Sequence, residues 1–184
     1  MILLRHGQSE FNLHFTHTRR DPGIRDPKLT ALGWAQAREA GHALVGHGLR
    51  RIVASPYTRA LETAHGVNEA LGLPIHVNTT VRERYAFVCD IGTKRSALCT
   101  AWPALDLSHL DDVWWPADEE PEDQVIGRAA LFRAEMAALP DWRDTLVISH
   151  WGFILSLTGQ SVANGTWMRF DPTAPAPAEV VWRP

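Results

Sequence analysis

Ile2-Leu3-Leu4-Arg5-His6-Gly7 is a short apolar run that ends in a cation, an imidazole and a glycine. A continuous apolar run of this length closed by a turn residue reads as a strand buried on both faces. Arg51-Ile52-Val53-Ala54 has the same form and leads into Ser55-Pro56, while Thr145-Leu146-Val147-Ile148 leads into Ser149-His150; Ile75–Val77 is a shorter relative. Helical patterns lie between these runs. Thr30 stands as N-cap before Leu32, Ala35, Ala40, Ala43 and Leu44, which recur near helical spacing until Gly46 and Gly48. Ser55 and Pro56 read as N-cap and first residue of a helix that continues through Leu61, Ala64 and Val67 to Gly72. Glu122–Leu139 is amphipathic through Val125, Ala129, Phe132 and Met136, and Gly152–Leu157 begins another helix. Strands alternating with helices predict an α/β fold, a three-layer sandwich whose mainly parallel sheet carries helices on both faces.

The 184 residues suit a single domain over 1–184, with an irregular specificity segment at about 82–120 and a stiff connector, Pro172–Ala178, before a last strand. A content of 45% hydrophobic and 21% charged residues is that of a globular chain. The net charge of −3 argues against nucleic-acid binding, and no apolar run reaches the ~18 residues of a membrane span. The opening apolar stretch is too short for a signal peptide. Cys89 and Cys99 give neither a disulfide framework nor a metal-ligand spacing, and read as buried free thiols of a cytoplasmic protein. The small total hides a split: residues 1–95 hold 13 basic and 8 acidic side chains, residues 96–184 hold 5 and 13.

In such sheets ligands bind beyond the carboxyl ends of the strands. Three of those ends carry reactive or cationic residues: Arg5-His6, Arg59 just inside its helix, and Ser149-His150. A neutral imidazole is a competent nucleophile toward phosphorus, and covalent catalysis divides one hard displacement into two easier ones. Gly7 would leave room for substrate against the backbone. Arg5 and Arg59 would hold phosphoryl oxygens, a cationic His150 would stabilise developing charge, and the amino end of the Arg59 helix would add its free N–H groups. Such a set would take the place of a metal, so neither metal nor cofactor is expected. Neither the G-x-x-x-x-G-K-[ST] loop nor the G-x-G-x-x-G turn of nucleotide sites occurs.

The run Leu4-Arg5-His6-Gly7-Gln8-Ser9-Glu10-Phe11-Asn12 resembles the opening signature of the histidine phosphatase superfamily, also called phosphoglycerate mutase-like. Asp26–Gly33 resembles that family's segment before its first helix, Ala54–Ala64 its second signature, and Ile148-Ser149-His150 its third. The resemblance implies that His6 is the phosphorylated nucleophile, that Arg5, Arg59 and His150 form the phosphate pocket with it, and that Asn12 adds a hydrogen bond. Arg82-Glu83-Arg84 matches the position of the family's proton donor, which makes Glu83 the expected acid and then base. The flanking arginines would lower its pKa unless burial offsets them. Asp90 is the nearest competing acid.

Two departures from the family pattern stand out. Gly commonly follows the second histidine, whereas this chain reads His150-Trp151-Gly152, which places Trp151 at the pocket edge. Mutases resemble Glu-Arg-His-Tyr around the acid, whereas here the order is Glu83-Arg84-Tyr85-Ala86. Arg84 and Lys94 are candidate substrate contacts, but no tandem arginines follow. Hydrolysis of a small phosphorylated metabolite is therefore expected over phosphoglycerate mutase activity. A non-hydrolysing phospholigand-binding protein, its chemistry blocked by Trp151, is the alternative from another class. The expected partner is the phosphorylated substrate alone, without nucleic acid or membrane, on a monomer or homodimer. His14 and His17 read as surface residues rather than metal ligands. Arg19, Arg20 and Arg25 either line the site's mouth or are solvated, the tryptophan pair Trp114-Trp115 packs in core or loop, and Asp118–Glu120 with Glu122 and Asp123 forms a solvated face.

Overall fold

The computed structural model describes residues 1–182. Strands β1 (Ile2–Arg5), β2 (Arg51–Ala54), β3 (Ile75–Val77), β4 (Thr145–Ser149) and β5 (Trp167–Arg169) form one sheet in the order β3-β2-β4-β1-β5. All neighbours are parallel except β5, which pairs antiparallel with β1 at the edge. The sheet is thus mainly parallel, as the alternation predicted. Its last strand precedes the Pro172–Ala178 run instead of following it, and residues 170–182 form no strand.

The two-residue period of a strand sorts side chains between two helical layers. Ile2, Leu4, Ile52, Ala54, Leu146 and Ile148 face α2 (Ala31–Leu44) and α3 (Thr58–Leu71), packing on Leu44, Leu61, Ala64 and Val67. Leu3 and Val147 face the other way, onto Phe132 and Met136 of α5 (Glu122–Ala137) and Phe153 and Ile154 of α6 (Trp151–Thr158). These central strands are apolar throughout because both faces are covered.

Two helices lie where a loop or irregular chain was expected. In α1 (Glu10–Thr18), Ser9 and Asn12 close a reciprocal capping box. The short α4 (Arg95–Ala101) interrupts the 82–120 segment and buries Leu98 in the core. Helix α3 begins at Thr58, later than Ser55-Pro56 suggested; Tyr57 is its N-cap, and the Ser55 hydroxyl accepts from the Tyr57 amide at 3.4 Å and meets His150. Cys89 is buried as expected, but Cys99 is exposed, and both are free thiols.

Candidate active site

The order β2-β4-β1 brings three distant segments together. In register, Arg5 of β1 lies beside Ser149 of β4, and Ala54 of β2 beside Ile148, so the next residues of all three strands emerge at one edge. The His6 amide donates to the Ser149 carbonyl at 2.9 Å, and the His6 and His150 ring centroids are 5.0 Å apart. Both rings are buried. His6 Nδ1 lies 2.7 Å from the Gly7 carbonyl oxygen. A carbonyl only accepts, so Nδ1 carries the proton and the lone pair sits on Nε2. Burial, with Arg59 and Arg5 close by, holds the His6 imidazole well below its ordinary 6.5 and keeps it neutral.

His150 caps α6 from an extended backbone, its Nε2 lies 2.8 Å from Ser55 Oγ, and its buried Nδ1 has no partner among the described residues. Burial, then Arg59, depresses its pKa as well. This corrects the expectation of a cationic His150: the buried imidazole is neutral and lies beneath the residues that line the site's cavity. Burial likewise brings the Arg5 guanidinium down to about 10, against a raising contribution from Glu83. Arg5 Nη1 donates to the Val162 carbonyl at 2.7 Å, while its buried Nε has no partner among the described residues.

Arg59 is buried, donating to the Cys89 carbonyl at 2.9 Å and to Asp90 Oδ1 at 3.0 Å. Burial opposes its charge, but Cys89 and Asp90 outweigh that and hold its pKa above the ordinary value. Asp90, the competing acid, is thereby committed to Arg59; its other oxygen accepts from the amides of Ala86 and Phe87, each at 3.1 Å. The amino end of α3 points away from a ligand role, since the Thr58 amide and hydroxyl both donate to Asp26. Gly7 also serves differently from expectation. A Cβ there would collide with the Gly33 carbonyl, so this glycine admits helix α2 and not substrate.

Glu83 Oε1 accepts from the Arg84 amide at 2.9 Å and Oε2 from the Gly152 amide at 3.2 Å. Burial raises its pKa, Asp90 adds to the rise, and the backbone donors and Arg59 only partly offset it. The neighbouring arginines do not depress it because both guanidiniums turn away. Arg82 Nη2 donates to Glu120 Oε1 at 2.9 Å; Arg84 reaches the Glu120 carbonyl at 2.8 Å, Glu119 at 2.9 Å and Glu122 at 3.3 Å. Arg128 donates to Glu120 Oε2 at 2.7 Å and to the Arg82 carbonyl at 2.9 Å. Glu120 is therefore buried beneath two arginines, which corrects the reading of 118–123 as a wholly solvated face.

A cavity of about 630 Å³ opens over this cluster. Arg5, His6, Asn12, Arg59, Glu83, Arg84 and Trp151 line it, and Arg19 joins them at its rim. Lys94 does not: it is exposed, 3.8 Å from Asp112, far from the substrate role expected of it. Asn12 Oδ1 accepts from Ser9 and from Asn164 Nδ2, which leaves its own Nδ2 to donate into the pocket. His14 and His17 are exposed, and no trio of potential metal ligands gathers among the described residues. Sequence reasoning missed Ser55, as the partner of His150, and Asn164, whose Nδ2 also donates to the His6 carbonyl at 3.1 Å. Nothing in the local sequence around Asn164 signals this role.

Two histidines and two arginines at the carboxyl edge of adjacent parallel strands, with a carboxyl group beside them, define an α/β enzyme site for a phosphoryl group. The model of the histidine phosphatase superfamily (branch 1) matches residues 1–180, and the chain belongs to that superfamily. Among its relatives, a glucosyl-3-phosphoglycerate phosphatase of Mycolicibacterium vanbaalenii is 28% identical over 210 residues, spanning 100% of this chain and 91% of the relative. A 2,3-bisphosphoglycerate-dependent phosphoglycerate mutase of Bradyrhizobium sp. (strain ORS 278) is 43% identical over 89 residues, only 46% of this chain and 41% of the mutase. The solved structure of a mycobacterial glucosyl-3-phosphoglycerate phosphatase in complex with VO3 superposes with a TM-score of 0.65 at 27% identity, covering 91% of this chain and 88% of that one. Of these, the phosphatases match over most of the chain and the mutase over less than half of it.

Proposed function

We infer that this chain hydrolyses phosphomonoesters of small metabolites through a phosphohistidine on His6, without a metal, in a reducing cytoplasm that suits its two free thiols. The observation that carries this reading is the hydrogen bond from His6 Nδ1 to the Gly7 carbonyl, because it leaves the Nε2 lone pair for phosphorus. Arg5 and Arg59 hold the phosphoryl oxygens, with Asn12 Nδ2 adding a donor. The unpartnered Nδ1 of His150 takes up a proton as the dianion arrives, and the imidazolium then balances charge on the equatorial oxygens.

His6 Nε2 bonds to phosphorus as the bond to the leaving oxygen breaks, and Glu83, whose pKa burial raises above the ordinary carboxyl value, gives that oxygen a proton. The resulting carboxylate takes a proton from water as the water oxygen attacks the phosphohistidine. Inorganic phosphate leaves, the His6 lone pair returns, and Glu83 is again protonated. Transfer to a sugar acid, as in the mutases, is disfavoured because Lys94 lies outside the cavity and Arg84 is occupied by glutamates.

The test follows phosphate release from a panel of phosphomonoesters with chelator present, beside His6→Ala. Wild-type chain releases phosphate and forms an acid-labile phosphoenzyme that the substitution abolishes. Hydrolysis that survives the substitution overturns the assignment of the nucleophile. Transfer between glycerate positions with little release points to the mutase reading.

A further inference from the structure

The phosphoryl group occupies only the floor of the cavity; the rest must be filled by the leaving alcohol. A volume of about 630 Å³ falls in the range of sites that enclose a drug-sized ligand, well beyond what glycerate needs. Its upper wall is aromatic. Phe11, Phe15 and Phe87 form a triad with ring centroids 5.0, 5.4 and 5.3 Å apart, and all three line the cavity. Phe87 is 39% exposed, an apolar ring left open to the site by its neighbours. Trp151 and Trp182, 5.7 Å apart, form a second aromatic group on the same cavity.

Several of its polar atoms are already paired. Beyond Arg5, His6 and Arg59, the charged side chains lining the cavity are Arg19, Glu83, Arg84, Asp90, Glu119 and Glu122. Arg84 is bound by both glutamates, at 2.9 and 3.3 Å. A carboxylate reaching for Arg84 would have to displace one of them and face the other, which leaves the exposed rim residue Arg19, over the Phe15 ring, as the cation open to it. Of the acceptors a sugar hydroxyl could use, Ser161 Oγ already accepts from Trp151 Nε1 at 2.9 Å and Asn12 Oδ1 from Ser9 and Asn164. Buried polar groups without partners cost free energy, whereas a flat apolar ring fits both aromatic groups.

We propose that the leaving group is a neutral alcohol bearing an aromatic ring, seated against Phe87 and the Phe11–Phe15 pair, and that Glu119 and Glu122 keep Arg84 from a carboxylate on the alcohol. This deepens the phosphatase reading and rests on it, since the ring is placed relative to a phosphoryl group on His6.

The intact chain is titrated with phosphonates, whose C–P bond does not turn over: methylphosphonate, 3-phenylpropylphosphonate, 2-carboxyethylphosphonate and the phosphonate analogue of a glucose 6-ester. The phenyl compound binds about tenfold or more tighter than each of the others, the scale of one well-placed aromatic contact. Phe87→Ala removes most of that advantage, and the double variant Glu119→Gln with Glu122→Gln tightens the carboxyethyl compound relative to the phenyl one. Stronger binding of the carboxylated or the sugar compound, or an unchanged preference in Phe87→Ala, overturns the proposal. Phosphate release from 2-phenylethyl phosphate is scored separately: its absence counts against the hydrolytic reading, whereas the phosphonate ranking tests the aromatic site whichever way that result falls.

Discussion

Glu83 and Gly152 are fitted to each other: the Gly152 amide donates to Glu83 Oε2 at 3.2 Å, and a Cβ at position 152 would stand 2.5 Å from Oε1. The glycine is there to let a carboxyl group lie on the first turn of α6. Gly152→Ala therefore pushes the proton donor off its mark while leaving the phosphate pocket in place. A displacement of this order costs about a hundredfold in kcat. The loss is steep with an alkyl ester and shallow with a nitrophenyl ester, whose leaving group needs no proton; equal losses on both esters count against Glu83 as the donor.

Glu120 keeps Arg82 and Arg128 away from the acid. Glu120→Gln removes the carboxylate that holds them, and Arg82, one residue from Glu83, becomes a free cation beside it. An approaching cation lowers a carboxyl pKa. Because the donor must be protonated, kcat falls as pH rises through the Glu83 pKa, so the alkaline limb of the pH–rate profile moves toward acid in this variant. An unshifted limb with unchanged thermal stability shows that Glu120 does not tune the site.

Arg59 and Asp90 are a buried ion pair, with side chains 4% and 2% exposed. Asp90→Ala strands a buried guanidinium and frees the Ala86 and Phe87 amides, and breaking such a pair costs about 3–5 kcal/mol. Urea denaturation of Asp90→Ala against wild type measures this, and a difference under about 1 kcal/mol refutes it.

His6 and His150 share a sign. Each folded-state pKa is depressed below 6.5 by burial, so below that pH the unfolded chain binds protons that the folded chain does not. The stability attached to these two groups is fully present above about 6.5 and is lost as pH falls from there toward their folded values. Denaturation midpoints measured in steps from pH 7.5 to 5 decline, and His150→Asn flattens the decline. Inorganic phosphate at millimolar concentration opposes it, because an anion in the pocket favours the imidazolium.

The sheet was legible in the sequence because its strands announce themselves. Ile2–Leu4, Ile52–Ala54 and Leu146–Ile148 are apolar on both faces, as only strands covered on both sides can be. His6, Arg59 and His150 could be placed because each follows such a run at a short fixed distance. Less of the rest could be read. Glu120 looks like any surface glutamate until α5 brings Arg128 over it and the turn after β3 brings Arg82. Gly7 looks like a substrate-facing glycine until Gly33 is packed against it. Strand β5 has three residues and no pattern of its own, and Lys94 turned out to face Asp112, a partner 18 residues away that local spacing does not reveal.

The central pair β1–β4 joins residues 2–5 to residues 145–149. On a ribosome, the first of these strands must wait, unpaired on that side, while most of the polypeptide is still being made. On the proposed mechanism, turnover in a growing chain begins only after His150 has emerged, and a translation arrest before that codon yields a chain that holds His6 and has no activity. Holding back so apolar a strand also leaves it exposed to trigger-type chaperones and to misassociation during synthesis.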